Sequence, residues 1–232
     1  PMISRFVTAA VNRHYLHLSN GPEGGDRLDP LRGESKVLGG IVVDLMRRML
    51  TVEADTFGEF VFEGAEVKLD GPVRLSPDLP PINVKQVIDR IDFAGPCGSM
   101  RFVDYKNGGD QLSAASIEAA FDRNADKRPK VLFQLMFYCL CYSELKSYSG
   151  PIQPYVYLIR TMFTDPLVPM TIGKQQIADY RDYIETFKEN LTKTVNAIFD
   201  STTPFEARVN DPAYDGHACT FCRFKAICSP PD

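Results

Sequence analysis

Three consecutive runs, EFVFEGAEVKL (59–69), NVKQVIDRIDF (83–93) and MRFVDYK (100–106), alternate apolar and polar residues and are rich in β-branched and aromatic side chains. Only short turns separate them, one of them AGPCGS, so they predict three successive strands of a mostly antiparallel sheet. The segment that follows, RPKVLFQLMFYCLCYSEL, opens with a proline in its first turn and carries a long apolar stripe. It predicts a helix over 129–146. PYVYLIRTMF (154–163) then reads as another strand. Over 174–199, Ile177, Tyr180, Ile184, Phe187, Leu191, Val195 and Ile198 step by three and four residues, the period of a helix.

Two further helices precede the strands. Ile3, Phe6, Val7, Ala10, Val11 and Leu16 predict one over 2–18, and Val43, Leu45, Met46 and Leu50 another over 36–50, with the Gly-, Pro- and Asp-rich SNGPEGGDRLDPLRGE between them as a loop. The order helix, helix, three strands, helix, strand, helix predicts an α/β fold, a central mixed sheet flanked by helices. It divides into an N-terminal helical segment (1–58), a core (59–200) and a Cys-rich tail (201–232).

Composition narrows the function. The 44% hydrophobic and 24% charged content belongs to an ordinary globular chain, and a net charge of −4 argues against coating nucleic acid through bulk charge, though not against a local basic cleft. No apolar run reaches the roughly 18 residues that span a bilayer, and residues 1–20 lack the pattern of a signal peptide, so a cytoplasmic location and no membrane partner are expected. Six cysteines are too few for a disulfide scaffold, and a tight cluster of them points to metal.

In RFVDYKNG, Asp104 and Lys106 are two residues apart on a strand and project to one face, while Tyr105 projects to the other. A hairpin between the second and third strands brings Asp89 or Asp92 near Asp104. Two carboxylates held close repel unless a cation or proton lies between them, which suits a divalent metal with oxygen ligands. A lysine beside such a metal can hold an attacking water and stabilise charge developing on a phosphate, so the group could hydrolyse a phosphodiester. Taken alone, Asp-x-Lys equally describes a solvated ion pair on a sheet face.

VIDRIDF, RFVDYKNG, FQLMFYCLCY and CTFCRFKAIC, in that order over roughly residues 59 to 228, resemble the PD-(D/E)XK nuclease superfamily, in the branch that holds the RecB and AddB nuclease domains. The resemblance implies a restriction-endonuclease-like core. It also implies a Mg²⁺- or Mn²⁺-dependent deoxyribonuclease of DNA repair and recombination, exonuclease rather than endonuclease, working with a helicase partner or a helicase-like upstream domain. It makes Asp89 and Asp104 metal ligands, Lys106 the catalytic lysine and the Tyr105 carbonyl a further ligand, with Gln134 and Tyr138 assisting at DNA. Asp92 is left as a structural acid.

Around these, Glu66 is a candidate further acid near the metal and Glu63 a weaker one, and Lys127, Arg128 and Lys130 form a basic cluster where phosphates could dock. Each is also what a solvated face looks like. Cys219, Cys222 and Cys228 match the last three ligands of the family's iron-sulfur cluster, a [4Fe–4S] site in the full-length protein. A zinc site with His217, or three reduced thiols, are the alternatives. Cys97 falls in a turn, and Cys139 and Cys141 read as buried free thiols.

The histidine that relatives place on an early helix is not matched by His14 or His17, and no upstream cysteine is visible. The expectation is therefore a C-terminal part of a longer protein whose own activity is weak or absent. A catalytically silent DNA-binding or scaffold module of the same fold, and a zinc-binding interaction domain, are the alternative functions.

Overall fold

The computed structural model describes residues 2–18, 28–77, 79–94, 98–108, 111–122, 128–204 and 222–228. Helix α1 (Met2–Ala10) runs into a π-helical turn (Val11–Tyr15), and α2 (Gly33–Phe57) ends at Gly58, whose φ of 68° a side chain would resist. Strands β1 (Phe60–Val73), β2 (Ile82–Ala94) and β3 (Ser99–Lys106) follow as an antiparallel meander. A two-residue strand β4 (Ser113–Ala114), helix α3 (Lys130–Lys146), strands β5 (Ile152–Leu158), β6 (Leu167–Pro169), β7 (Thr171–Ile172) and β8 (Gln175–Gln176), and helix α4 (Ile184–Phe199) complete the core.

The main sheet has the order β1-β2-β3-β5-β6. β3 and β5 run parallel, joined by the α3 crossover, and the other pairs are antiparallel. β4, β7 and β8 form a separate small sheet.

Strand alternation sorts side chains onto two faces. Met100 and Phe102 of β3 and Ile152 and Val156 of β5 bury against Leu132, Leu135, Met136 and Cys139 of α3, with Phe187 and Leu191 of α4 behind them. On the reverse face Val103, Tyr155 and Tyr157 meet Leu45, Met49, Val52 and Phe57 of α2. The sheet is thus a middle layer between helices, the α/β architecture of a PD-(D/E)XK core.

The periodic stretch 174–199 is not one helix. Gly173 at φ 55° turns the chain into the β7–β8 hairpin, and Ile177 N–H donates to Met170 O at 2.9 Å. Asp179 then caps a short 3₁₀ turn by accepting from Arg181 N–H at 3.0 Å, so the helix starts only at Ile184. Ile177 and Tyr180 are buried all the same, because a hairpin and a turn deliver them to the core that helical spacing had suggested.

Candidate active site

β2 and β3 bring the acids together. Main-core side chains on β2 fall at Val84 and Ile88, then at Ile91 and half-buried Phe93, so the step from 88 to 91 is three residues and the strand turns over at Asp89–Arg90. The partner strand is irregular at the same place. Glu66 sits at φ 51° between the pairs Val67↔Ile88 and Ala65↔Arg90, which keep one register, and the register shifts a few residues earlier, between Phe62 and Gly64. Asp89 is left half-buried, its Oδ2 accepting from Tyr105 N–H at 2.9 Å.

One strand over, Asp104 follows Met100 and Phe102 in alternation and faces α3; it is 2% exposed. Lys106 projects to the same side, its Nζ 2.8 Å from Asp104 Oδ2. Helix α3 closes the group. Lys106 Nζ donates to Gln134 Oε1 at 2.9 Å, and Gln134 Nε2 lies 2.9 Å from Asp104 Oδ1 and 2.8 Å from the Tyr138 hydroxyl. One amide therefore touches the acid, the lysine and the phenol.

Tyr138 senses both carboxylates. Burial raises its pKa, and the negative charges of Asp104 and Asp89 raise it further against the hydrogen bond from Gln134 and the charge of Lys106. Its hydroxyl keeps its proton at neutral pH.

The donor set suits a hard divalent cation. Among the described residues no three His, Cys, Asp or Glu side chains gather as a metal group, so Glu66 does not join Asp89 and Asp104 in a three-acid cluster. Two carboxylates are what Mg²⁺ commonly takes from a protein, since it keeps several waters and the substrate's phosphate oxygens for the rest of its shell.

The reverse face under these residues carries a network absent from the sequence reading. Arg101, fully buried, donates from Nε to Asp92 Oδ1 at 2.6 Å and from Nη2 to Glu53 Oε2 at 3.0 Å. Arg90 Nε bonds Asp92 Oδ2 at 2.7 Å, and its Nη2 lies 3.0 Å from Glu53 Oε1. The Tyr157 hydroxyl donates to Glu53 Oε1 at 2.9 Å, and Arg101 stacks on Phe57 at 3.8 Å from the ring centroid. Two arginines and two acids balance in charge, which makes this burial tolerable. Arg90, Asp92 and Arg101 at inward positions of adjacent strands were the available signal, since buried charges require partners.

Arg128 and Lys130 are exposed at the start of α3. Lys127 lies outside the described residues, as do Cys97, His217 and Cys219. Cys222 is exposed, its sulfur accepting from Phe224 N–H at 3.4 Å, and Cys228 ends the short helix Lys225–Cys228. Cys139 and Cys141 are buried free thiols, and Gln86 Nε2 donates to the Cys141 sulfur at 2.8 Å. His14 and His17 are exposed. No helix among the described residues is long and apolar enough to cross a membrane.

A mixed sheet between helices, with an Asp-x-Lys strand facing a Gln and a Tyr on one helix, defines a nuclease-type core. The sequence profile of the PD-(D/E)XK nuclease superfamily matches residues 6–229, and the chain belongs to that superfamily. Its members are in general metal-dependent nucleases that typically use divalent ions, so a DNA-binding nuclease-type domain is the class to which this chain is assigned. A search of curated proteins gives no match.

Proposed function

We propose that this chain is the nuclease domain of an AddB- or RecB-like DNA repair and recombination protein, a Mg²⁺- or Mn²⁺-dependent deoxyribonuclease that works in the cytoplasm as an exonuclease beside a helicase. The observation that carries the reading is the hydrogen-bonded chain Asp104–Lys106–Gln134–Tyr138 with Asp89 at its edge.

Asp89 and Asp104 would hold the cation, with the Tyr105 carbonyl as a further ligand and Glu66 close by in register. When bound, the ion supplies Lewis acidity and neutralises charge at the scissile phosphate. The chain's own groups do the positioning. Lys106 Nζ, fixed by Asp104 and Gln134, orients the attacking water and offers hydrogen bonds to the oxygens on which charge develops. Gln134 ties strand to helix, so the lysine and the acid move as one unit. Tyr138 presents a phenol to the same space, and Arg128, Lys130 and Lys127 supply positive charge for the backbone of incoming DNA.

Cys219, Cys222 and Cys228 are read as ligands of an iron-sulfur cluster, with zinc as the alternative; metal analysis and visible absorption separate the two.

The test is cleavage of linear single- and double-stranded DNA with Mg²⁺ or Mn²⁺, beside a Lys106→Ala control. Lys106-dependent cutting supports the reading. Equal cutting by both proteins overturns it, and DNA binding without cutting by a folded, metal-loaded protein leaves a silent binding module.

A further inference from the structure

Asp89 occupies the part of β2 that its neighbours hold least. The ladder to β3 runs from Ala94↔Ser99 to Arg90↔Val103 and stops short of Asp89, and on the β1 side Glu66, at φ 51°, stands between the pairs Ala65↔Arg90 and Val67↔Ile88. Asp89 is tied to β3 through Tyr105, whose N–H donates to its carboxylate. Mg²⁺ demands near-ideal ligand placement, so a carboxylate that serves it cannot hang on a loosely paired strand.

Fixation comes from behind the sheet. Arg90 follows Asp89 and points to the reverse face, where Glu53 of α2 and Asp92 grip its guanidinium. Tyr105 stacks on Tyr157 at 5.7 Å between centroids and 17° between planes, and the Tyr157 hydroxyl returns to Glu53. Tyr105 donates its N–H to Asp89, the neighbour of Arg90, so Arg90, Glu53, Tyr157, Tyr105 and Asp89 close a ring through β2, α2, β5 and β3. This ring crosses behind the β2–β3 seam where backbone pairing gives out.

We propose that Arg90 is a positioning residue for Asp89, its guanidinium clamped by Glu53 and Asp92 so that β2 holds its metal-binding carboxylate at a fixed distance from Asp104. The inference rests on the metal-dependent reading above. Arg90 itself touches neither metal nor DNA. Lysine in its place keeps the charge and loses the fork that engages two carboxylates together. Tyr157→Phe keeps the ring stack and removes only the hydroxyl that donates to Glu53.

The experiment is a titration of Mn²⁺ into the wild-type, Arg90→Lys and Tyr157→Phe proteins without DNA, read by the loss of the free-ion electron paramagnetic resonance signal, with thermal melting of each in parallel. Both variants are expected to bind Mn²⁺ about tenfold more weakly, the order seen when supporting partners of metal ligands are removed, with Tyr157→Phe melting within a few degrees of wild type. A merely structural role would lower melting temperatures and leave affinity unmoved. If wild type binds Mn²⁺ and every folded variant binds it equally well, the positioning role is overturned while the proposed function stands. If wild type binds no Mn²⁺, both fall.

Discussion

Gln134 stands between Lys106 and Asp104, accepting from the lysine through Oε1 and facing the carboxylate through Nε2, each at 2.9 Å. An amide is the side chain suited to this place, because it offers an acceptor to a cation and a donor to an anion from one planar group. Gln134→Glu places a second carboxylate against Asp104, and Gln134→Ala releases the lysine. Both are expected to lower kcat by about tenfold to a hundredfold with unchanged far-ultraviolet circular dichroism, whereas Lys106→Ala costs about 10²- to 10³-fold, the range for removing one preorganised electrostatic group. Single-turnover cleavage of end-labelled DNA measures each.

Glu53 is the hinge of the buried charge network, with both arginines and Tyr157 on its carboxylate. Glu53→Ala leaves Arg90 and Arg101 short of counter-charge in the interior and is expected to destabilise the fold by about 3–5 kcal/mol, as breaking one side of a buried pair does. Urea denaturation followed by circular dichroism gives the difference directly.

Thiol chemistry separates the cysteines. Burial, partly offset by the bond from Gln86, pushes the Cys141 thiol up to about 12, and burial raises Cys139 well above the ordinary range. In metal-free native protein at pH 8, iodoacetamide is expected to modify exposed Cys222 and spare Cys139 and Cys141 until the fold is denatured, as peptide mass mapping reads out.

The same shift has an alkaline signature. A thiol whose folded pKa lies above its unfolded value stabilises the fold fully below the unfolded pKa, ordinarily 9.0, and loses that contribution as pH rises through the folded one. The urea midpoint is expected to fall between pH 9 and about 12, and less steeply in a Cys139→Ala/Cys141→Ala variant.

Arg128 and Lys130 sit exposed at the mouth of α3. If both meet phosphates, the double alanine variant weakens DNA binding alike across sequences and reduces the slope of log affinity against log salt by about two, roughly one per lost contact. Fluorescence anisotropy at several salt concentrations tests it.

Much of this was legible because strand and helix periods are local. Alternation in 59–69, 83–93 and 100–106 marked β1, β2 and β3, and the same parity set Asp104 and Lys106 on one face, where they pair. The four-residue step from Gln134 to Tyr138 likewise became a hydrogen bond. What escaped was nonlocal. Glu53 is a lone acid in a helical stripe, and only the folded chain, joining positions 48 residues apart, shows that Arg101 answers it. The turnover of β2 at Asp89 was equally hidden, since no local residue pattern announces where a strand exchanges its faces. The start of α4 was misread because hydrophobic spacing records burial, and a hairpin can satisfy it as well as a helix.

β3 is the third strand of five, bonded on both edges, with Phe102 and Val103 buried toward opposite faces. Its amides therefore belong to the slowest-exchanging class of the molecule, those that open only when the whole fold opens. Asp104 and Lys106 continue that spine past its last β2 pair, bonded to β5, so a reaction at them would leave the scaffold still while substrate and side chains do the moving.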